Sequence, residues 1–143
     1  MAEAKARRLE RIHRVRTLQL RQVQAEEADA HARLAQEAAM RERISMLSGN
    51  VAPTPAPLPV AATSLAAAAH FRERLHRTAE AADKRLAQAE QGLDAARSAT
   101  REAKRDQTAV EKLISREEAD AALRALRELE ALPPMRKKRH GPC

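Results

Sequence analysis

The prolines decide most of what this chain can be. Pro53, Pro55, Pro57 and Pro59 occupy alternate positions in mid-chain, and the next prolines are Pro133 and Pro134. The stretches on either side, up to Ala52 and from Val60 to Leu132, contain none. Proline fixes φ and has no backbone donor, so the segment from Gly49 to Pro59 is excluded from helix. The two proline-free stretches are not. Gly49 stands where a C-cap glycine would end a first helix, and Thr63 or Ser64 where an N-cap would open a second. Pro133-Pro134 would close it. The predicted organisation is a single domain over 1–143. It has helix one at about 4–48, a Pro-rich loop at about 49–62, helix two at about 64–132 and a basic tail at 133–143.

Composition supports helices and argues against an ordinary core. The chain has one Phe, no Tyr and no Trp, and most of its apolar residues are alanine. Alanine buries little area, and aromatics normally supply much of a core. Charged residues make up 33% of the 143 positions with both signs mixed. That is the make-up of long helices and coiled coils, although high charge with few aromatics also marks disordered chains. Periodicity decides between the two.

Helix two carries the clearer pattern. Alternate steps of three and four from Leu65 pass through Ala68, Arg72, Leu75, Ala79, Ala82, Leu86, Ala89, Leu93, Ala96, Thr100, Ala103, Gln107, Val110 and Ile114. Only Arg72, Thr100 and Gln107 are polar. A sustained heptad stripe of this kind implies a left-handed supercoil, and small residues along it allow close approach. Helix one has a weaker stripe at Leu9, Arg16, Leu20, Val23, Glu27, Ala30, Leu34, Glu37, Arg41 and Ile44. Its charges mean that it needs the second helix to be stable. Glu10–Arg14, Asp29–Arg33, Glu37–Arg41, Glu73–Arg77 and Glu80–Lys84 have the spacing of helical ion pairs, each adding about 0.2–0.5 kcal/mol. Two long helices with a short connection run antiparallel as neighbours. The expected fold class is therefore all-α, a long two-helix antiparallel coiled-coil hairpin. Equal lengths counted back from the turn would set Ala4 opposite about residue 109. Beyond Ile114 the stripe changes phase. Leu123, Leu126, Leu129 and Leu132 recur every three residues, on a part of helix two with nothing opposite, where a partner surface is expected.

The net charge of +7 is uneven. Residues 1–22 carry Lys5, Arg7, Arg8, Arg11, Arg14, Arg16 and Arg21 against Glu3 and Glu10, and the tail carries Arg136, Lys137, Lys138 and Arg139. A hairpin would bring both to one basic tip, suited to an anionic partner reached by electrostatic steering. An acidic protein cavity and nucleic acid both fit that description. Nucleic-acid readers commonly add stacking aromatics or groove-entering motifs, which this sequence lacks.

Nothing in the sequence assembles a catalytic or metal site. His13, His31, His70, His76 and His140 have no His or Cys four residues away, so no zinc pair forms on a helix face. With three glycines there is no phosphate-cradling loop, and a two-helix rod lacks a desolvated pocket. The expectation is a non-enzyme with no cofactor, no metal and no small-molecule substrate. Cys143 is the only cysteine, in keeping with a cytoplasmic address. No apolar run reaches spanning length, and the charged start predicts no secretory leader.

Phe71, the single aromatic, flanks the helix-two stripe. Phe71, Leu75, Thr78 and Ala82 share one face near the closed end, where both packing against helix one and partner docking fit. If docking holds, Phe71→Ala weakens partner binding more than it lowers thermal stability.

The arrangement resembles the flagellar FliJ family, with its YscO-like counterparts in injectisomes. The resemblance rests on Arg8-Leu9-Glu10-Arg11-Ile12, Val15-Arg16, Gln19 and Gln22, on Ala28, Ala32 and Leu34-Ala35, on the mid-chain break and on the basic close. It implies a non-catalytic coiled-coil stalk of the type III export apparatus, cytoplasmic and peripheral to the inner membrane at the flagellar base. The implied partners are the export ATPase ring and its regulator, the membrane-embedded export gate protein and export chaperones. It places gate contacts on Phe71 and Leu75 by residue type and on Thr78 and Ala82 by spacing. Gln36, Met40, Arg43 and Leu47 would be the facing stripe, without the aromatics expected there. The ATPase ring would be met by Arg11, Arg14 and Arg16. The alternative is a basic coiled-coil protein that binds nucleic acid or the ribosome.

Overall fold

The computed structural model describes residues 2–51 and 62–133, apart from the side chains of Ala2 and Ala62. Most of the Pro-rich loop and of the basic tail, with Arg136–Arg139, His140 and Cys143, lies outside the described residues. Among the described residues the structure is all-helical. Two long helices, α1 (Ala2–Asn50) and α2 (Ala62–Glu130), are in contact.

Local chemistry explains the helix bounds. Both segments are rich in Ala, Leu, Arg, Glu and Lys, which lose little on entering a helix. Glu3 lies in the first turn of α1 and Arg127 in the last turn of α2, each of the sign favoured by the helix dipole there. Gly49 is not the expected cap. The helix runs through it to Asn50, and no described glycine has a positive φ. The reason is that the Val51 amide still donates to the Leu47 carbonyl at 3.2 Å. Thr63 and Ser64 lie inside the first turn of α2, not before it. At the far end the Ala131 amide bonds Arg127 at 3.0 Å and the Leu132 amide bonds Leu129 at 3.3 Å. The tightened last turn ends at the residue before Pro133, which proline bars from helix.

The chain divides into two compact units, residues 1–18 with 105–143, and residues 19–104. In the second unit Arg41 meets Asp83 (2.8 Å), Glu37 meets Arg85 (3.5 Å) and Glu27 meets Arg97 (4.0 Å). The Thr100 hydroxyl lies 3.4 Å from the Val23 carbonyl. In the first unit Arg16 meets Asp106 (2.9 Å), Gln107 donates to Thr17 (3.2 Å), His13 Nε2 lies 3.2 Å from Glu111, and Lys5 pairs with Glu117. In every case the two residue numbers add to 122, 123 or 124, so within each unit the two segments run in opposite directions at one register.

This register corrects the alignment expected from equal arms. Lys5 sits at Glu117, so Ala4 is level with about residue 119, not 109. Residues 62–71 of α2 then have no helical α1 residue level with them, and Leu65 and Arg72 are exposed. The helix-two stripe is inward-facing only from Leu75 onward. It runs one step past Ile114, to Glu117.

The buried apolar side chains are Leu20, Ile44, Ala82 and Leu93 in the second unit and Val110 in the first. The half-buried positions between them fall at heptad spacing on both helices, with His13 and Thr17 inward-facing beside the α1 stripe. The charges that weaken that stripe each find an opposite charge on α2. Thus the expected Glu37–Arg41 pair along α1 gives way to two pairs across the helices, Glu37–Arg85 and Arg41–Asp83. Glu80 approaches His76 at 3.4 Å instead of Lys84, whereas Glu73–Arg77 forms as spaced. Among the described residues Glu10–Arg14 and Asp29–Arg33 make no ion pair.

Candidate partner-binding surfaces

Three surfaces follow from this packing. The first is the basic face of α1. Much of the positive charge near its start is already engaged. Lys5 binds Glu117, Arg7 reaches Glu3 at 3.3 Å, and Arg16 is held by Asp106. Arg16 is thus part of the helix–helix contact and does not project with Arg11 and Arg14 as the sequence suggested. Arg8, Arg11 and Arg14 are exposed and form no ion pair among the described residues. Spaced by three, they are neighbours that wind about 60° per step around α1.

Glu117 anchors the other side of the first unit. It is 8% exposed and accepts from Lys5 and, at 3.1 Å, from Arg124. The two cations hold its carboxyl below the ordinary carboxylate value, against the opposing effect of burial. Nothing in the residue pattern marked it, because a glutamate on the stripe looked like the point where the stripe fails. The signal was Lys5, the cation that reaches that stripe position once the register is known.

The second surface is the Phe71 stripe. Phe71 is 51% exposed, so it is not a core residue. Thr78 is also exposed, its hydroxyl donating to the Arg74 carbonyl at 2.8 Å. Leu75 is half-buried. Ala82 has no exposed surface, so its place is in the helix packing and not on a docking face. On α1, Gln36, Met40, Arg43 and Leu47 are all exposed. Gln36, Met40 and Arg43 line a shallow cavity of about 370 Å³ with Arg85. The register sets Met40 level with Asp83 and Leu47 level with His76, while Phe71 lies past the level of Asn50, the last residue of α1. The two stripes are therefore offset along the axis.

The third surface is the exposed leucine row Leu123, Leu126, Leu129 and Leu132 at the end of α2. Nearby, a groove of about 230 Å³ lies between Leu9, Ala6, Ile114 and Ala121, rimmed by Glu3 and Glu118. The small Ala6 and Ala121 side chains leave that space.

No group of His, Cys, Asp and Glu among the described residues is arranged to hold a metal ion. Among them, too, no helix is long and apolar enough to cross a membrane. No protein-family model matches the chain, and neither a curated protein nor a solved structure does.

Proposed function

We propose that this chain is an antiparallel two-helix coiled-coil hairpin that acts without catalysis, as a stalk of the flagellar type III export apparatus coupling the export ATPase ring to the export gate. The observation that carries this reading is the run of exposed cations Arg8, Arg11 and Arg14 near the start of α1, with no ion pair among the described residues, beside stripe charges that are each matched across the helices. A slender helix pair, roughly 10 Å between axes, fits a ring channel. Exposed arginines at its start suit capture by an acidic ring mouth, an attraction screened beyond about 10 Å at 0.1 M salt. The exposed Phe71 and half-buried Leu75 support a separate contact toward the gate. Cytoplasmic placement at the flagellar base belongs to the same proposal.

The test is export ATPase activity against added protein at two salt concentrations. Reversal of Arg8, Arg11 and Arg14 to Glu is expected to abolish stimulation while leaving helix content unchanged. The matched control reverses Arg33, Arg74 and Lys84, also exposed and without an ion pair among the described residues, and should retain most of it. Equal loss from both variants rejects the basic row. Salt-sensitive binding of the wild type to arbitrary DNA, with no effect on the ATPase, favours the nucleic-acid reading instead.

A further inference from the structure

Two faces of the first unit share an apolar spacing and carry opposite charge. On α1, Ile12, Val15 and Leu18 are 36%, 53% and 62% exposed. At about 100° per residue they step back about 60° each time, on the side turned away from the inward-facing Leu9, His13 and Thr17. Arg8 and Arg11 fall inside that arc and Arg14 beside it. None of these three arginines makes an ion pair among the described residues. The only carboxylate from Arg8 to Leu18 is Glu10, which lines the groove with Ala6 and Leu9 instead. On α2, Leu123, Leu126 and Leu129 are 52% to 66% exposed. Around them Glu118, Asp120, Glu128 and Glu130 are exposed and form no ion pair among the described residues. Of the two arginines in this stretch, Arg124 is already held by Glu117, which leaves Arg127 against four carboxylates. The α2 face is thus apolar and acidic where the α1 face is apolar and basic. The two cannot meet within one chain. Ile12 is level with about residue 111, Leu123 is past the level of Ala2, and α2 is unbroken helix through Glu130.

We propose that the occupant of each face is the other face on a second copy of this chain, so that the acidic leucine end of one α2 docks across the basic start of another α1. The proposal goes beyond the stalk reading and does not rest on it. Charge chooses the occupant. Two α2 ends, or two α1 starts, would set like charges together and repel, whereas an end against a start sets carboxylates among arginines. Spacing chooses the geometry. Residues three apart form ridges inclined about 45° to the helix axis, and two such ridges lie alongside each other when the helices cross near a right angle. Ile12, Val15 and Leu18 then lie along Leu123, Leu126 and Leu129, with Val15 and Leu126 at the centre. A coiled coil would need each apolar stripe held at one azimuth, which steps of three do not give. The contact is small. Two helices about 10 Å wide that cross cover far less than the about 800 Å² per partner of a stable interface. Apolar burial alone does not hold it, so the charges decide whether it forms, and the association is weak and screened by salt.

The experiment is analytical ultracentrifugation of the full chain over a range of concentrations. At low salt the average mass of the wild type should rise with concentration above the 15.8 kDa of one chain. It should fall back in about 1 M salt, where charges are screened beyond about 3 Å. Changing Arg8, Arg11 and Arg14 to Glu should weaken association by roughly tenfold or more. Changing Glu118, Asp120, Glu128 and Glu130 to Lys should do the same. Mixing these two variants should restore it, because each then meets an opposite charge on the other. All seven side chains are exposed, so helix content by circular dichroism should not change. Leu126→Glu with Leu129→Glu should block association while leaving the arginines intact, so stimulation of an ATPase can be measured apart from self-association. A constant monomeric mass overturns the proposal and leaves both faces to foreign partners. Association that survives either charge reversal, or two reversed variants that fail to associate when mixed, overturns it as well.

Discussion

Residues 19–104 and the unit formed by residues 1–18 with 105–143 use the same helix geometry but hold it by different means. The former buries Leu20, Ile44, Ala82 and Leu93 between the helices, and its pairs across the helices join half-buried Glu27 and Glu37 and exposed Arg41 to exposed residues of α2. The latter buries Val110 and a glutamate, and its contacts are Lys5–Glu117, Arg124–Glu117, His13–Glu111 and Arg16–Asp106. Heptad spacing therefore does not prescribe the glue. A stripe position can be closed by hydrocarbon or by a matched charge, and the choice sets which perturbation opens it. Apolar closure is sensitive to lost volume. Charged closure is sensitive to protons and salt.

The sharpest way to break this contrast is Leu93→Ala. Leu93 is 4% exposed, and its truncation should cost about 2–3 kcal/mol in urea denaturation, the low end for a buried leucine because two helices close readily on a gap. A loss below about 0.5 kcal/mol would mean that residues 19–104 are not held by apolar burial.

An intermediate effect is expected at Glu117. Its native carboxyl titrates below the ordinary value near 4.5, held there by Lys5 and Arg124. The stabilisation is thus fully present above about pH 4.5 and is lost as the pH falls through the lower native value. Amide protection around residues 106–121, measured against the slower intrinsic exchange in acid, should fall on acidification while protection around Leu93 is retained. Glu117→Gln should abolish that difference. If the variant keeps the wild-type acid response, the carboxylate is not what closes this unit.

The smallest effect belongs to Arg16 and Asp106, whose side chains are 41% and 52% exposed. A double-mutant cycle with Ala at both positions should return a coupling of about 0.5 kcal/mol that shrinks in added salt. A coupling several times larger and indifferent to salt would move this pair into the class of Glu117.

These contrasts were only partly visible beforehand. The inward face of each helix could be read directly, from Leu9 to Ile44 and from Leu75 to Ile114, because period alone sets the azimuth of a side chain. The shift along the axis could not, since a heptad pattern repeats under any seven-residue slide. Counting from the proline turn assumed arms of equal reach and missed by about ten residues, because α2 runs on from Ala62 past the level of the end of α1. What sets the register is the list of opposite charges that meet, and Arg16, Glu27, Glu37 and Arg41 looked only like weak points until their partners were known. The exposure of Phe71 follows from the same offset: it lies past the level of Asn50, the last helical residue of α1.

The charged stripe also has a mechanical meaning. Consider sliding α1 past α2 by one heptad within residues 19–104. Toward lower α2 numbers, Glu27 comes to Glu90, Arg41 to His76 and Glu37 to Thr78, so the three ion pairs between the helices in this unit are lost and two carboxylates collide. Toward higher numbers, Glu27 reaches Lys104 and Arg41 reaches Glu90, and only Glu37, arriving at Gly92, is stranded. The apolar stripe is blind to direction, but the charges are not. A shear load along the axis would therefore meet a pawl, stiff one way and yielding to a second detent the other.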